Sequence, residues 1–146
     1  MNLGEYKFGC ALLIDDDSTD SFINKRILEL SLFARKIIVK NSCREGLAYL
    51  QEECADYNNI PDVIFLDFFM PVQGGTEFLD SFEKLSPRIS LKSKVVMLSV
   101  LDNELHPGVY DQNRVFGAIV KPLTDDKIEW IFSPEFAFSF LRNPKN

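Results

Sequence analysis

Ala11-Leu12-Leu13-Ile14 runs directly into Asp15-Asp16-Asp17, an apolar stretch that stops at three acids. The same arrangement recurs where Val63-Ile64-Phe65-Leu66 meets Asp67. Two further runs end in reactive side chains, Val95-Val96-Met97-Leu98 before Ser99 and Ala118-Ile119-Val120 before Lys121. Short, continuous apolar runs suit strands covered on both faces, as in a parallel sheet. Such sheets bind ligands beyond the carboxyl ends of their strands, so four strands ending in polar groups predict one site. Clustered carboxylates repel, by about 4 kcal/mol for two charges ~4 Å apart at an effective dielectric near 20. A divalent cation is the simplest way to keep three of them ionised, which points to a metal-assisted site acting on phosphate.

Working outward, strand and helix patterns alternate along the chain. Ser18 is the expected N-cap of a first helix reaching about Phe33, with Phe22, Ile23, Ile27, Leu28 and Leu30 as its apolar face. Ile37-Ile38-Val39 marks the second strand, and a helix from Ser42 or Cys43 carries Leu47, Leu50 and Cys54. A breaker at 58–62 precedes the third strand, and Pro71, Gly74 and Gly75 punctuate a loop after Asp67. A third helix is expected from Thr76 to about Leu85, ended by Ser86-Pro87, and a fourth within 102–113. Thr124-Asp125-Asp126 caps a last helix, with a short helical continuation from Ser133-Pro134 to about Leu141. Five strand–helix units predict a doubly wound α/β parallel sheet of about five strands, with helices on both faces.

The 146 residues fit one domain, expected as 1–146 with a core over 7–132 and an aromatic tail over 133–146. A formal charge of −6 argues against nonspecific nucleic-acid binding, which needs a basic face. Cys10, Cys43 and Cys54 have no metal-ligand spacing and read as reduced, buried thiols. No run approaches the ~18 apolar residues of a membrane span, and no apolar segment precedes Phe8-Gly9-Cys10. The chain therefore reads as cytoplasmic. His106, the sole histidine, reads as an exposed loop residue.

Four motifs in order carry a resemblance: Leu13-Ile14-Asp15-Asp16; Leu66-Asp67-Phe68-Phe69-Met70-Pro71 with Gly74-Gly75; Leu98-Ser99; and Val120-Lys121-Pro122-Leu123. Together they resemble the phosphoacceptor receiver domain of bacterial two-component response regulators, over residues 7 to about 132. The resemblance implies a flavodoxin-like sheet of strand order 2-1-3-4-5. It also implies that Asp67 is the phosphoacceptor, and that Ser99 and Lys121 bind the phosphoryl oxygens. Mg²⁺ would be held by Asp15, Asp16, Asp67 and the backbone carbonyl of Phe69, with Asp15 acting mainly through a metal-bound water. Lys121-Pro122 becomes a candidate cis peptide. The implied partners are a histidine kinase or phosphotransfer protein and an unidentified downstream protein, with no nucleic acid and no membrane. Such a domain is a signalling switch, not a turnover enzyme, and with no room for an output module after 132 it is expected to stand alone.

Two departures from the family pattern stand out. Ala118 occupies the place of the usual aromatic switch residue. Phe69 and Leu101 are apolar where a polar group could position an attacking water, so slow self-dephosphorylation is expected.

Other readings compete. Asp15-Asp16-Asp17-Ser18-Thr19 also fits the D-x-D-x-T motif of haloacid dehalogenase-like phosphatases, with Asp15 as nucleophile and Asp17 as general acid. That reading leaves Asp67 and the Met70-Pro71 loop without a role and lacks the expected later acidic pair. A phosphate-independent pseudo-receiver, acting only as a binding module, sits poorly with the intact acids and Lys121. Asp17 and Asp20 read as cap and turn residues, and the aromatics Trp130, Phe132, Phe136, Phe138 and Phe140 as packing.

Overall fold

The computed structural model describes residues 5–68, 70, 74–100 and 114–134. Strands β1 (Phe8–Ile14), β2 (Ala34–Lys40), β3 (Val63–Asp67), β4 (Lys94–Ser99) and β5 (Gly117–Val120) form one sheet in the order β2-β1-β3-β4-β5. Every pairing is parallel. The three inner strands are buried along nearly their whole length, which is why they read as continuous apolar runs. Successive side chains point to opposite faces. Leu12, Ile14, Ile64, Leu66, Val95 and Met97 pack on one side with Leu50, Phe78 and Leu79. Ala11, Leu13, Val63, Phe65, Val96 and Leu98 pack on the other with Leu28, Ile128 and Ile131.

Helices α2 (Cys43–Glu52) and α3 (Gly75–Glu83) therefore cover one face. Helices α1 (Ser18–Leu30) and α5 (Asp125–Ile131) cover the other. Burial of one Leu or Phe side chain stabilises the fold by roughly 1.5–3 kcal/mol, so these two layers dominate its energetics. The register aligns Ile14 with Leu66, Asp67 with Leu98 and Ser99 with Val120, so all four polar strand ends reach the same edge.

Two local expectations are corrected. The N-cap of α1 is Asp17 and not Ser18: the Asp17 Oδ1 accepts a hydrogen bond from Asp20 N at 2.9 Å. The buried face of α1 is also different. Phe22 is 70% and Leu30 66% exposed, whereas Ser21, Asn24 and Leu28 are buried. Polar groups face inward because the loops after β1 and β5 need partners there. Ser21 Oγ donates to Asp15 O at 3.4 Å, and Asn24 Oδ1 accepts from Leu123 N at 3.1 Å.

Ser86-Pro87 starts a helix as well as stopping one. A short α4 (Pro87–Ser90) follows, with Pro at its first turn and Ser86 Oγ accepting from Arg88 N at 3.3 Å. The expected fourth helix within 102–113, Phe69, His106 and the helical continuation beyond 134 lie outside the described residues.

Candidate functional site

Each strand end contributes one group. Asp15 follows β1 and is fully buried; its Oδ1 accepts from Asp17 N at 2.9 Å and its Oδ2 from Lys121 Nζ at 3.0 Å. Asp16 is exposed beside it. Asp67 closes β3, with its Oδ2 3.6 Å from Lys121 Nζ. One carboxylate oxygen from each of Asp15, Asp16 and Asp67 lies within 4.8 Å of the other two. Ser99, buried, closes β4, and its carbonyl accepts from Lys121 N at 2.6 Å.

The loop bearing Lys121 is held on several sides. The Lys121-Pro122 peptide is cis, as the family resemblance implies. Lys127 Nζ donates to the carbonyls of Val120 at 2.9 Å and Pro122 at 3.1 Å, while Asn24 takes the N–H of Leu123. One contact was missed in the sequence. Asp20 is not only a first-turn acid: its Oδ2 accepts from Lys121 Nζ at 3.0 Å. No signal in the sequence could have found it, because the inward polar face of α1 that carries Asp20 and Asn24 is not marked by apolar spacing.

Charge is unevenly balanced here. Burial alone would lower the pKa of Lys121, but its hydrogen bonds to Asp20 and Asp15 and the charge of Asp67 hold it above the usual lysine range. At the start of α2, burial and then the charges of Asp67, Glu77 and Asp16 push the Cys43 thiol up to about 12. Clustered acids thus outnumber the ammonium they share. An all-oxygen donor set, part buried and part exposed, fits a hard divalent cation that keeps some of its waters.

The structure brings together Asp15, Asp16, Asp67, Ser99 and Lys121; the remaining candidate, Phe69, is outside the described residues. Asp17, the general acid of the phosphatase reading, has its Oδ1 engaged as a helix cap. Ala118 packs against the layer built from α2 and α3.

Comparison with known proteins agrees with this geometry. The family model of the response regulator receiver domain matches residues 11–132. Response regulator Rcp1 of Synechocystis is 30% identical over 95 residues, which are 64% of this chain and 63% of that protein. The match thus spans less than two thirds of that relative. A two-component response regulator from Cytophaga hutchinsonii superposes with a TM-score of 0.76 at 27% identity, covering 88% of this chain and 96% of the other. A CheY-like receiver domain protein from Methanospirillum hungatei gives a TM-score of 0.63 at 25% identity, over 92% and 98% of the two chains.

Proposed function

Because the chain belongs to the response regulator receiver domain family, we propose that it is a phosphoacceptor switch with Asp67 as the acceptor. The observation that carries this is the cluster of three carboxylates within 4.8 Å, with the Lys121 ammonium 3.6 Å from Asp67. A carboxylate oxygen of Asp67 attacks phosphorus, the P–N bond of a phosphohistidine donor breaks, and an aspartyl phosphate forms. Histidine leaves with its nitrogen lone pair and takes up a proton as required.

The protein's share of phosphoryl transfer is placement and charge neutralisation. Lys121 donates to the phosphoryl oxygens as a compact point charge. Ser99 supplies a hydroxyl donor from the next strand end. Asp15, Asp16 and Asp67 would hold Mg²⁺, with Asp15 acting chiefly through water and, by the family pattern, the backbone carbonyl of Phe69 as a further ligand. When bound, the cation supplies charge neutralisation to the carboxylates and the phosphoryl group.

The donor is a histidine kinase or phosphotransfer protein, and the output is changed binding to a protein target, not substrate turnover. The product adds roughly −1.5 to −2 charge beside Lys121 and Ser99, by analogy with other phospho-residues, which draws their loops inward. With Ala118 on β5, that movement proceeds without a rotating aromatic ring at this position. Residues 1–146 act as one unit. A net charge of −6 disfavours nucleic acid as the target. Among the described residues no helix is long and apolar enough to cross a membrane, and we place the protein in the cytoplasm beside its donor.

Intact mass after incubation with acetyl phosphate, with and without Mg²⁺, tests the reading. Wild type should gain one phosphoryl group only with Mg²⁺, and Asp67→Asn none. Label retained in Asp67→Asn sinks the assignment. Phosphate release that survives Asp67→Asn and dies with Asp15→Asn would establish the phosphatase instead. No adduct from either acetyl phosphate or a phosphohistidine protein would leave the phosphate-independent binding module. The apolar Phe69 and Leu101 further predict slow loss of the phosphoryl group, and a half-life of seconds would refute that.

A further inference from the structure

Asp20 belongs to neither the acceptor nor the cation set, yet Lys121 Nζ donates to it at 3.0 Å. That matches its distance to Asp15 and is shorter than the 3.6 Å to Asp67. The Asp20 side chain is 35% exposed and that of Asp15 is fully buried, so the ammonium lies between an outer and an inner carboxylate. Four residues further along α1, Asn24 accepts from Leu123 N at 3.1 Å. Residues four apart share a helix face. One face of α1 therefore grips the Lys121 loop twice, once by its backbone and once by its charge.

In this arrangement Lys121 neutralises Asp15 and Asp67, two of the three carboxylates that a divalent cation needs. Cation entry places like charge beside the ammonium, which must give up those two partners. If it had no other partner, it would have to go into water or stay and oppose the metal. An ammonium has three N–H donors and can shift its weight between acceptors at little conformational cost. We propose that Asp20 is a positioning residue that parks the Lys121 ammonium while Mg²⁺ occupies Asp15, Asp16 and Asp67. It keeps the lysine at the rim of the site instead of against the metal ligands. The inference rests on the Mg²⁺ site proposed above.

A simpler role for Asp20 is to be an acid in the first turn of α1, favoured by the helix dipole. That role would change stability without coupling Asp20 to Lys121 in metal binding, and a double-mutant cycle separates the two. Mg²⁺ is titrated into the unphosphorylated full chain and followed by amide chemical shifts, for wild type, Asp20→Asn, Lys121→Gln and the double variant. Asp20→Asn should weaken Mg²⁺ binding about fivefold in wild type, but at most about twofold in the Lys121→Gln background, where nothing needs parking. Asp20→Glu should restore most of the affinity. An unchanged affinity in Asp20→Asn, or the same fold-change in both backgrounds, overturns the parking role and leaves the cation site standing. A wild type that takes up no Mg²⁺ overturns both.

Discussion

Two lysines at opposite ends of the sheet meet acids in very different company. Lys92, before β4, donates to the carbonyls of Tyr57 at 3.0 Å and Ile60 at 2.9 Å and lies 4.2 Å over the Tyr57 ring. Among the described residues its carboxylate partner is Asp62, which is 3.7 Å away and also accepts from Gly9 N at 3.0 Å and Cys10 N at 3.1 Å. One charge meets one charge there, and backbone groups complete the set, tying the starts of the inner strands together. At the other end, Lys121 is shared among Asp15, Asp20 and Asp67, with Asp16 close by. A balanced pair suits scaffolding, whereas a surplus of one sign held in place by the fold suits the cation site proposed above.

Replacing one acid at each end breaks the comparison most sharply. Asp67→Asn should lose phosphoryl uptake completely while the fold keeps or gains stability, because a repelling charge is gone. Asp62→Ala should do the reverse, keeping uptake but costing about 1–3 kcal/mol by leaving the N–H groups of Gly9 and Cys10 without their acceptor and Lys92 without its counter-charge. Mass spectrometry and urea melts on both variants would check this. Loss of uptake in folded Asp62→Ala would show that the two ends are not separable.

Mg²⁺ should act on one end only. A ligand at ten times its dissociation constant stabilises the native state by about 1.4 kcal/mol, which for a chain of this size raises the melting temperature by a few degrees. The rise should persist in Lys92→Met and vanish in Asp15→Asn. A similar rise in Asp15→Asn would place the cation elsewhere.

The same contrast explains what could be read in the sequence. Strands were legible because β1, β3 and β4 are buried on both faces and carry unbroken apolar runs to their polar ends. The acids, Ser99 and Lys121 were legible because strand ends in a parallel sheet have only one edge to reach. Helix α1 was misread for a physical reason. Its inward face must satisfy loop groups, so Ser21 and Asn24 are buried while Phe22 and Leu30 face solvent. An apolar count at helical spacing cannot find such a face. Asp20 was missed with it, since its partner Lys121 lies 101 residues away in sequence. The start of α4 was hidden because Ser86-Pro87 serves both to end one helix and to cap the next.

The smallest expected effect concerns Cys43, whose thiol sits beside the acidic end. Burial first, then Asp67, Glu77 and Asp16, raise its pKa from an ordinary 9.0 to about 12. A raised pKa means the folded state holds the proton more tightly than the unfolded chain does. The resulting stability is fully present below about pH 9 and is lost as pH climbs toward 12, because only the unfolded chain ionises early. At pH 9.5 the loss from this one group is under about 1 kcal/mol. Cys43→Ala lowers stability at every pH through lost packing, but it should flatten the alkaline slope. Urea melts between pH 7 and about 10.5 compare the two proteins. Parallel slopes would mean that neither burial nor the neighbouring acids hold this thiol's pKa above its unfolded value.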